Sequence, residues 1–257
     1  MNLGLEGRRA VVTGASRGLG RATAQALASE GAQVLAIARN ADRLAAVADA
    51  AQGARGVLST RVCDIASAAS IAGLSGPLGQ ADILIINCGG PAPGPATDTS
   101  DATWTAQFEA MFLSAVRLTR LALPGMRERR HGRIIVVVSS GVVQPIPNLG
   151  VSNAIRLSLV GWAKTLASEV AADGVTVNCL APGRIATDRV AELDLNRAAR
   201  EGISVSDVER QSRATIPAGR YGEATEFASV AAFLASGLSS YITGSVLRVD
   251  GGLIRSL

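Results

Sequence analysis

The feature that most constrains this 257-residue chain is the stretch Thr13-Gly14-Ala15-Ser16-Arg17-Gly18-Leu19-Gly20, which follows the apolar run Ala10-Val11-Val12 and opens a helical pattern of Ala22, Ala26 and Leu27. A strand that ends in a glycine-rich turn and feeds directly into a helix gathers unpaired N–H groups and the positive end of the helix dipole at one point, which suits a phosphate. Each glycine has a mechanical use there. Gly14 can take positive φ in the tight turn, Gly18 lets the backbone approach a pyrophosphate, and Gly20 lets the helix pack on the strand. A glycine pattern alone is a weak signal whose alternative is an ordinary βα turn, so the rest of the chain has to decide.

Short apolar runs at 10–12, 34–38, 57–63, 83–86, 134–138, 175–180 and 246–249 alternate with Ala/Leu-rich helical patterns. Such near-continuous runs predict a parallel sheet covered by helices on both faces: one doubly wound α/β domain spanning 1–257. At 48% hydrophobic and 18% charged, the chain can bury one large core. The net charge of +4 comes from scattered arginines with a local cluster at Arg127, Arg129 and Arg130, and two Trp, two Tyr and four Phe leave little to stack on bases. This argues against nucleic acid as a partner. Cys63, Cys88 and Cys179 are odd in number and far apart, each in an apolar run that reads as a buried strand, so neither a disulfide framework nor a metal site is expected. No apolar run approaches the ~20 residues of a membrane span, and the first residues lack a signal peptide's charged-then-apolar order, so the expected location is the cytoplasm.

The second run ends at Ala38-Arg39-Asn40, where an NAD-binding sheet usually places a carboxylate for the ribose 2′-hydroxyl. Ala38 offers none. Arg39, together with Arg17, can instead pair with a 2′-phosphate, which points to NADP(H) rather than NAD(H); two solvated surface arginines are the alternative. Cys63-Asp64-Ile65 and Asn87-Cys88-Gly89-Gly90-Pro91 follow the carboxyl ends of the third and fourth runs, where open α/β sheets bind their ligands.

With these residues in place, the chain resembles the short-chain dehydrogenase/reductase family over essentially its whole length. Thr13–Gly20 is similar to the family's TGxxxGxG turn, Asp64 to the aspartate beside the adenine, and Pro182-Gly183-Arg184-Ile185-Ala186-Thr187 to the turn near the nicotinamide. Asn87-Cys88-Gly89-Gly90 approximates the family's Asn-Asn-Ala-Gly, and Asp250-Gly251-Gly252 its ending. The resemblance implies cofactor contacts from Gly14, Ser16, Arg17, Gly18, Leu19, Gly20, Arg39, Asp64, Ile65, Asn87, Gly89, Arg156, Pro182, Gly183, Ile185 and Thr187.

It also implies a catalytic tyrosine, a lysine four residues later, a polarising serine and a supporting asparagine. The serine falls on Ser139, at the end of the run that begins Gly132-Arg133. The tyrosine's position is occupied by Ser152, the lysine's by Arg156 and the asparagine's by Met111. Tyr221, Tyr241, Lys164 and His131 are not placed to substitute; Lys164 lies about 12 Å beyond Arg156 along one helix. A positioned general acid is worth roughly 10²–10⁴ in rate, so ordinary ketone reduction should suffer. Arg156 keeps a positive charge but cannot pass on protons, though it can still hold a ribose or a substrate anion. Two readings stay open: a site retooled for a substrate needing less acid catalysis, or a helix from which catalysis has been lost.

The charged stretch 186–217 matches the family's mobile substrate lid. Together with Arg184 just before it, its Arg189, Arg197 and Arg200 hint at an anionic small-molecule substrate. The family commonly assembles through its long helices, so a homotetramer or dimer is expected. The leading expectation is an NADP-dependent oxidoreductase acting on a carbonyl, imine or related electrophile; the alternatives are a non-catalytic cofactor-binding or structural subunit and a non-redox lyase or isomerase.

Overall fold

Strand β1 (Arg9–Thr13) shows how the sheet is built. Its side chains alternate between two apolar clusters, Val11 entering one while Ala10 and Val12 enter the other. β4 (Ile83–Ile86) repeats the division, with Leu84 and Ile86 on the first side and Ile83 and Ile85 on the second, and β5 (Gly132–Val137) does the same with Ile134 and Val136 against Ile135 and Val137. Each fully buried Val, Leu or Ile contributes roughly 1.5–3 kcal/mol, so both faces must be covered.

The computed structural model describes residues 2–256. With β2 (Gln33–Ala38), β3 (Val57–Val62), β6 (Val175–Pro182) and β7 (Val246–Val249), the strands form one seven-stranded parallel sheet in the order β3-β2-β1-β4-β5-β6-β7. On one face lie α1 (Gly18–Ser29) and, packed against it, a C-terminal helix over Ala224–Ala235, which contribute Leu27, Phe227 and Ala231 to the core. On the other face Leu118, Ala122, Met126, Leu159, Ala163 and Val170 come from the two long helical segments. The doubly wound α/β arrangement is therefore as expected, and among the described residues no helix is long and apolar enough to cross a membrane.

One expectation needs correcting. β3 stops at Val62, leaving Cys63 just beyond it, and Cys88 lies past the end of β4; only Cys179 is within a strand. After α2 (Ala41–Asp49) and the short α3 (Ala68–Ala72) and α4 (Ser75–Gly79), the first long helical segment runs as α5 (Asp101–Phe108), a wide π turn over Glu109–Leu113, and α6 (Ser114–Glu128). The arginine cluster is consumed internally, Arg127 pairing with Asp173 at 2.7 Å, Arg129 with Asp82 at 3.2 Å, and Arg130 donating to the Ala172 carbonyl.

At the amino end of β5, burial and the neighbouring Arg133 and Arg8 push the His131 imidazole down to about 4, with Arg129 adding to this and Asp82 opposing it. Between about pH 6.5 and 4 the unfolded chain therefore binds a proton that the native chain refuses, so stability falls with pH across that window and no further below it. His131→Gln should remove about 1–3 kcal/mol of that acid-dependent loss, measured by urea unfolding at pH 7, 5 and 4. Parallel pH curves for the two proteins would refute it.

Candidate active site

Neighbouring strands β1 and β4 send their chains to opposite faces, α1 to one side and α5–α6 to the other, and a crevice opens between their carboxyl ends. Thr13 ties the two ends together: its Oγ1 donates to the Asn87 carbonyl at 2.9 Å and accepts from the Asn87 N–H at 2.9 Å. Asn87 Nδ2 in turn donates to the Gly14 carbonyl at 3.2 Å. Gly14 has φ +60°, and a Cβ there would lie 2.5 Å from the Asn87 carbonyl oxygen. A Cβ on Gly20 would lie 2.3 Å from the Gly14 oxygen, whereas Gly18, at φ +53°, is needed for its conformation and not for space.

A cleft of about 1200 Å³ begins at this turn. Gly14, Ser16, Arg17, Gly18, Leu19, Arg39, Asp64, Ile65, Asn87, Gly89, Ser139, Ser152, Arg156, Pro182, Gly183, Ile185 and Thr187 all line it. Gly20 lies behind the wall, packed on Gly14 and Asn87. Asp64 accepts from the Ala66 N–H at 3.0 Å, and Thr187 caps the helix that follows it.

The charges are distributed differently from the expectation. Arg39 stands in the cleft wall with no carboxylate partner among the described residues, and so does Arg43, which sequence reasoning missed. The available signal was its spacing: Arg43 is four residues beyond Arg39, in the first turn of α2 behind the Asn40 cap. Arg17 is already engaged, its Nη1 lying 3.0 Å from Glu192 and 3.7 Å from Asp188. Both acids belong to α8 (Asp188–Glu201), which with α9 (Val205–Thr215) covers the charged stretch.

The other arginines of that stretch are also spoken for. Arg184 Nη1 meets Asp194, a residue 1% exposed, at 2.5 Å, and Arg197 and Arg200 share Glu201. Arg189 donates to the Pro91 carbonyl at 2.6 Å. Arg189 also lies 3.5 Å from Glu192, so the hint of an anionic substrate drawn from these four side chains is weakened, because each of them has a carboxylate partner. Tyr221 donates to Asp194 at 2.8 Å, and burial, its first cause, raises its pKa. Tyr241 is fully exposed, and His131 is at the far end of the sheet.

The long helix α7 (Gly150–Val170) carries Ser152 and Arg156 one turn apart. Arg156 does not extend freely into the cleft as a ribose anchor would. Its Nη1 donates to the Val137 carbonyl at 2.8 Å and the Val138 carbonyl at 3.2 Å, its Nη2 to the Cys88 carbonyl at 3.4 Å, and its Nε to Ser152 Oγ at 3.4 Å. Ser139, just beyond β5, accepts from the Gly141 N–H at 3.1 Å. Met111 is 1% exposed and packs with Val151 and Ile155, an apolar plug at the position of the relay asparagine.

The model of a family described as Enoyl-(Acyl carrier protein) reductase matches residues 14–254. This chain belongs to the short-chain dehydrogenase/reductase family. It is 40% identical over 255 residues to the 3-oxoacyl-[acyl-carrier-protein] reductase FabG of Escherichia coli (strain K12), covering 98% of this chain and 99% of that protein. Among solved structures it is similar to YwfH, an NADPH-dependent reductase involved in bacilysin biosynthesis, at 31% identity and TM-score 0.92, over 98% of this chain and 100% of that one. The L-sorbose reductase of Gluconobacter frateurii, solved with NADPH and L-sorbose, superposes at TM-score 0.93 and 31% identity, over the whole of both chains.

For this member of the family, Gly20→Ala should lower stability by about 1–3 kcal/mol, because the backbone at Gly14 and Asn87 must give way. Gly18→Ala should act through φ alone, by about 1 kcal/mol. Thermal unfolding of the two variants checks the order, and an equal or reversed effect would count against the crowding argument.

Proposed function

We propose that this short-chain dehydrogenase/reductase is an NADP(H)-dependent reductase of small electrophiles that need no proton delivered to them as they are reduced, such as an iminium ion or a conjugated carbonyl compound. The observation that carries this reading is the catalytic corner itself: Ser139 remains, while Ser152, Arg156 and Met111 supply no group that can give up a proton near neutral pH.

The cleft fits the cofactor. The crowded glycine turn leaves room for a pyrophosphate, Gly14, Ser16, Gly18 and Leu19 would cradle it, and the uncompensated Arg39 and Arg43 would take the 2′-phosphate. Asp64 and Ile65 would flank the adenine, and Asn87, Gly89, Pro182, Gly183, Ile185 and Thr187 the nicotinamide end. The NADPH-dependent relatives support the same choice. When bound, NADPH supplies a hydride. Ser139 would polarise the acceptor, and α8 and α9 would act as the lid over 186–217, held across the mouth by Arg17 and Arg189. A cofactor-binding subunit without turnover is the second reading, favoured by Arg156 being harnessed to carbonyl groups.

Assembly into a cytoplasmic homotetramer or dimer belongs to the same proposal. Leu157 on α7 is 54% exposed and Phe108 on α5 41%, and a row of rings, Phe108 on Phe112 and Phe112 against Trp162, runs across these helices. Light scattering at micromolar concentration should give a mass at least twice the 26.2 kDa of the chain; a monomer would refute it.

Arg39→Ala should weaken NADPH binding by about tenfold and leave NADH nearly unchanged, as read by calorimetry. Equal losses for both would remove Arg39 from the phosphate site. A triple change, Met111→Asn with Ser152→Tyr and Arg156→Lys, should raise reduction of simple ketones by about 10²–10⁴. Efficient ketone reduction by the parent would falsify the reading.

A further inference from the structure

A second opening lies at the amino end of the sheet, the opposite end of the strands from the cleft. There, beside the starts of β1 and β5, a pocket of about 290 Å³ has Leu3, Leu5, Arg8, His131 and Leu238 in its wall. A sphere of that volume is about 8 Å across, so the two basic side chains act on the same small space. Its apolar part is divided. Leu5 is buried in the core, whereas Leu3 is half-buried and Leu238 is 53% exposed, so an apolar lip stands open to solvent.

The polar part carries an excess of positive charge. Arg133, the second residue of β5, is 4% exposed, and its guanidinium donates to the carbonyls of Gly132 at 2.8 Å, Ser236 at 3.1 Å and Gly174 at 3.3 Å, with no carboxylate among the described residues. Arg8 makes no ion pair or side-chain hydrogen bond among the described residues, and after burial it is the cause that lowers the Arg133 pKa. The charges that reach His131 are those of Arg133, Arg8 ahead of β1, Arg129 after α6, and Asp82 ahead of β4. Asp82, the one acid of the group, is already engaged by Arg129 at 3.2 Å and by the Arg9 N–H at 3.0 Å. Carbonyl groups at the carboxyl end of the Ala224–Ala235 helix would oppose an anion, but those of Phe233, Leu234 and Ser236 are bonded by the Ser236 and Ser239 hydroxyls and by Arg133. Repulsion among cations that lack an acid of their own is relieved by an anion from outside.

We propose that this pocket binds a small amphiphilic carboxylate, its head held by Arg8 and His131 and its short alkyl tail laid against Leu3, Leu5 and Leu238. At ~30 Å³ for each water-sized group, the pocket holds about ten non-hydrogen atoms, the size of octanoate. The site is separate from the cleft and does not depend on the hydride-transfer reading. A bound negative head favours the imidazolium of His131, so binding takes up a proton, and affinity rises as the pH falls below neutral.

Calorimetric titration with hexanesulfonate, an amphiphile of the same size whose charge does not titrate, tests the site. It should bind once per chain and at least tenfold more tightly than inorganic phosphate, the difference that about two buried methylenes supply. Octanoate should displace it at pH 7. Arg8→Gln should weaken binding by about tenfold and Leu238→Ser by about threefold or more, both with the melting temperature of the parent. Between pH 7 and 5 the affinity should rise by about tenfold in the parent and stay level in His131→Gln.

Equal binding of hexylammonium, or unchanged affinity in Arg8→Gln, overturns the site, and competition by NADPH overturns it too, by placing the ion in the cleft. Phosphate binding as tightly as hexanesulfonate overturns the choice of an amphiphile. A level pH profile in the parent removes His131 from the head group and overturns the arrangement.

Discussion

The reciprocal bond between Thr13 and Asn87 is the constraint from which the site is built. It fixes the carboxyl ends of β1 and β4 at the one place where neighbouring strands lead to opposite faces of the sheet. Because Asn87 also holds the Gly14 carbonyl, the glycine turn is pressed so close that neither Gly14 nor Gly20 has room for a side chain. The start of α1, and with it the unpaired N–H groups of its first turn, is positioned by that pressure. Everything farther along the cleft, from the cations at the end of β2 to the serines at the end of β5, is set at its distance by the register of the parallel strands.

Arg156 answers a different need. A lysine ammonium is a point charge on a flexible stem, whereas a guanidinium is a planar fork able to meet several oxygens at once. Here the fork stitches the end of β5 to the loop after β4 and to its own helix, so the carbonyls of Val137, Val138 and Cys88 and the Ser152 hydroxyl share one donor group. The polar groups at this end of the sheet are satisfied without a carboxylate, and the charge remains available to act on its surroundings. Structural and chemical roles are not exclusive in such an arrangement.

Most of the architecture was legible in the sequence because apolar strands and glycine turns act locally. Ile83–Ile86 and Val246–Val249 were readable to the residue, and the uses of Gly14 and Gly20 followed from strand-turn-helix geometry. What escaped was long-range or non-periodic. Arg17 looked free beside Arg39 because its partner Glu192 is 175 residues away. Arg184 looked like a ligand for an anion because the burial of Asp194 that claims it arises only when α8 packs against the Tyr221 loop. The π turn at Glu109–Leu113 adds a residue to one turn without any composition that announces it, and Arg43 escaped because Arg17 and Arg39 already accounted for the phosphate.

The attachments of α8 are graded in strength along its length. At its middle, Asp194 is buried between Arg184 and Tyr221, and separating them would strand a charge at a cost of about 3–5 kcal/mol. At its first turns, Arg17 and Glu192 meet with 45% and 44% of their side chains exposed, a contact worth about 0–1 kcal/mol and weakened by ordinary salt. The helix is therefore a cantilever, clamped by a buried charge at its middle and tied at its first turns by the exposed Arg17–Glu192 pair and the single bond from Arg189 to the Pro91 carbonyl. Its tip lies beside the glycine turn, so the attachment that salt weakens borders that end of the cleft, while the buried clamp on Arg184 borders the other.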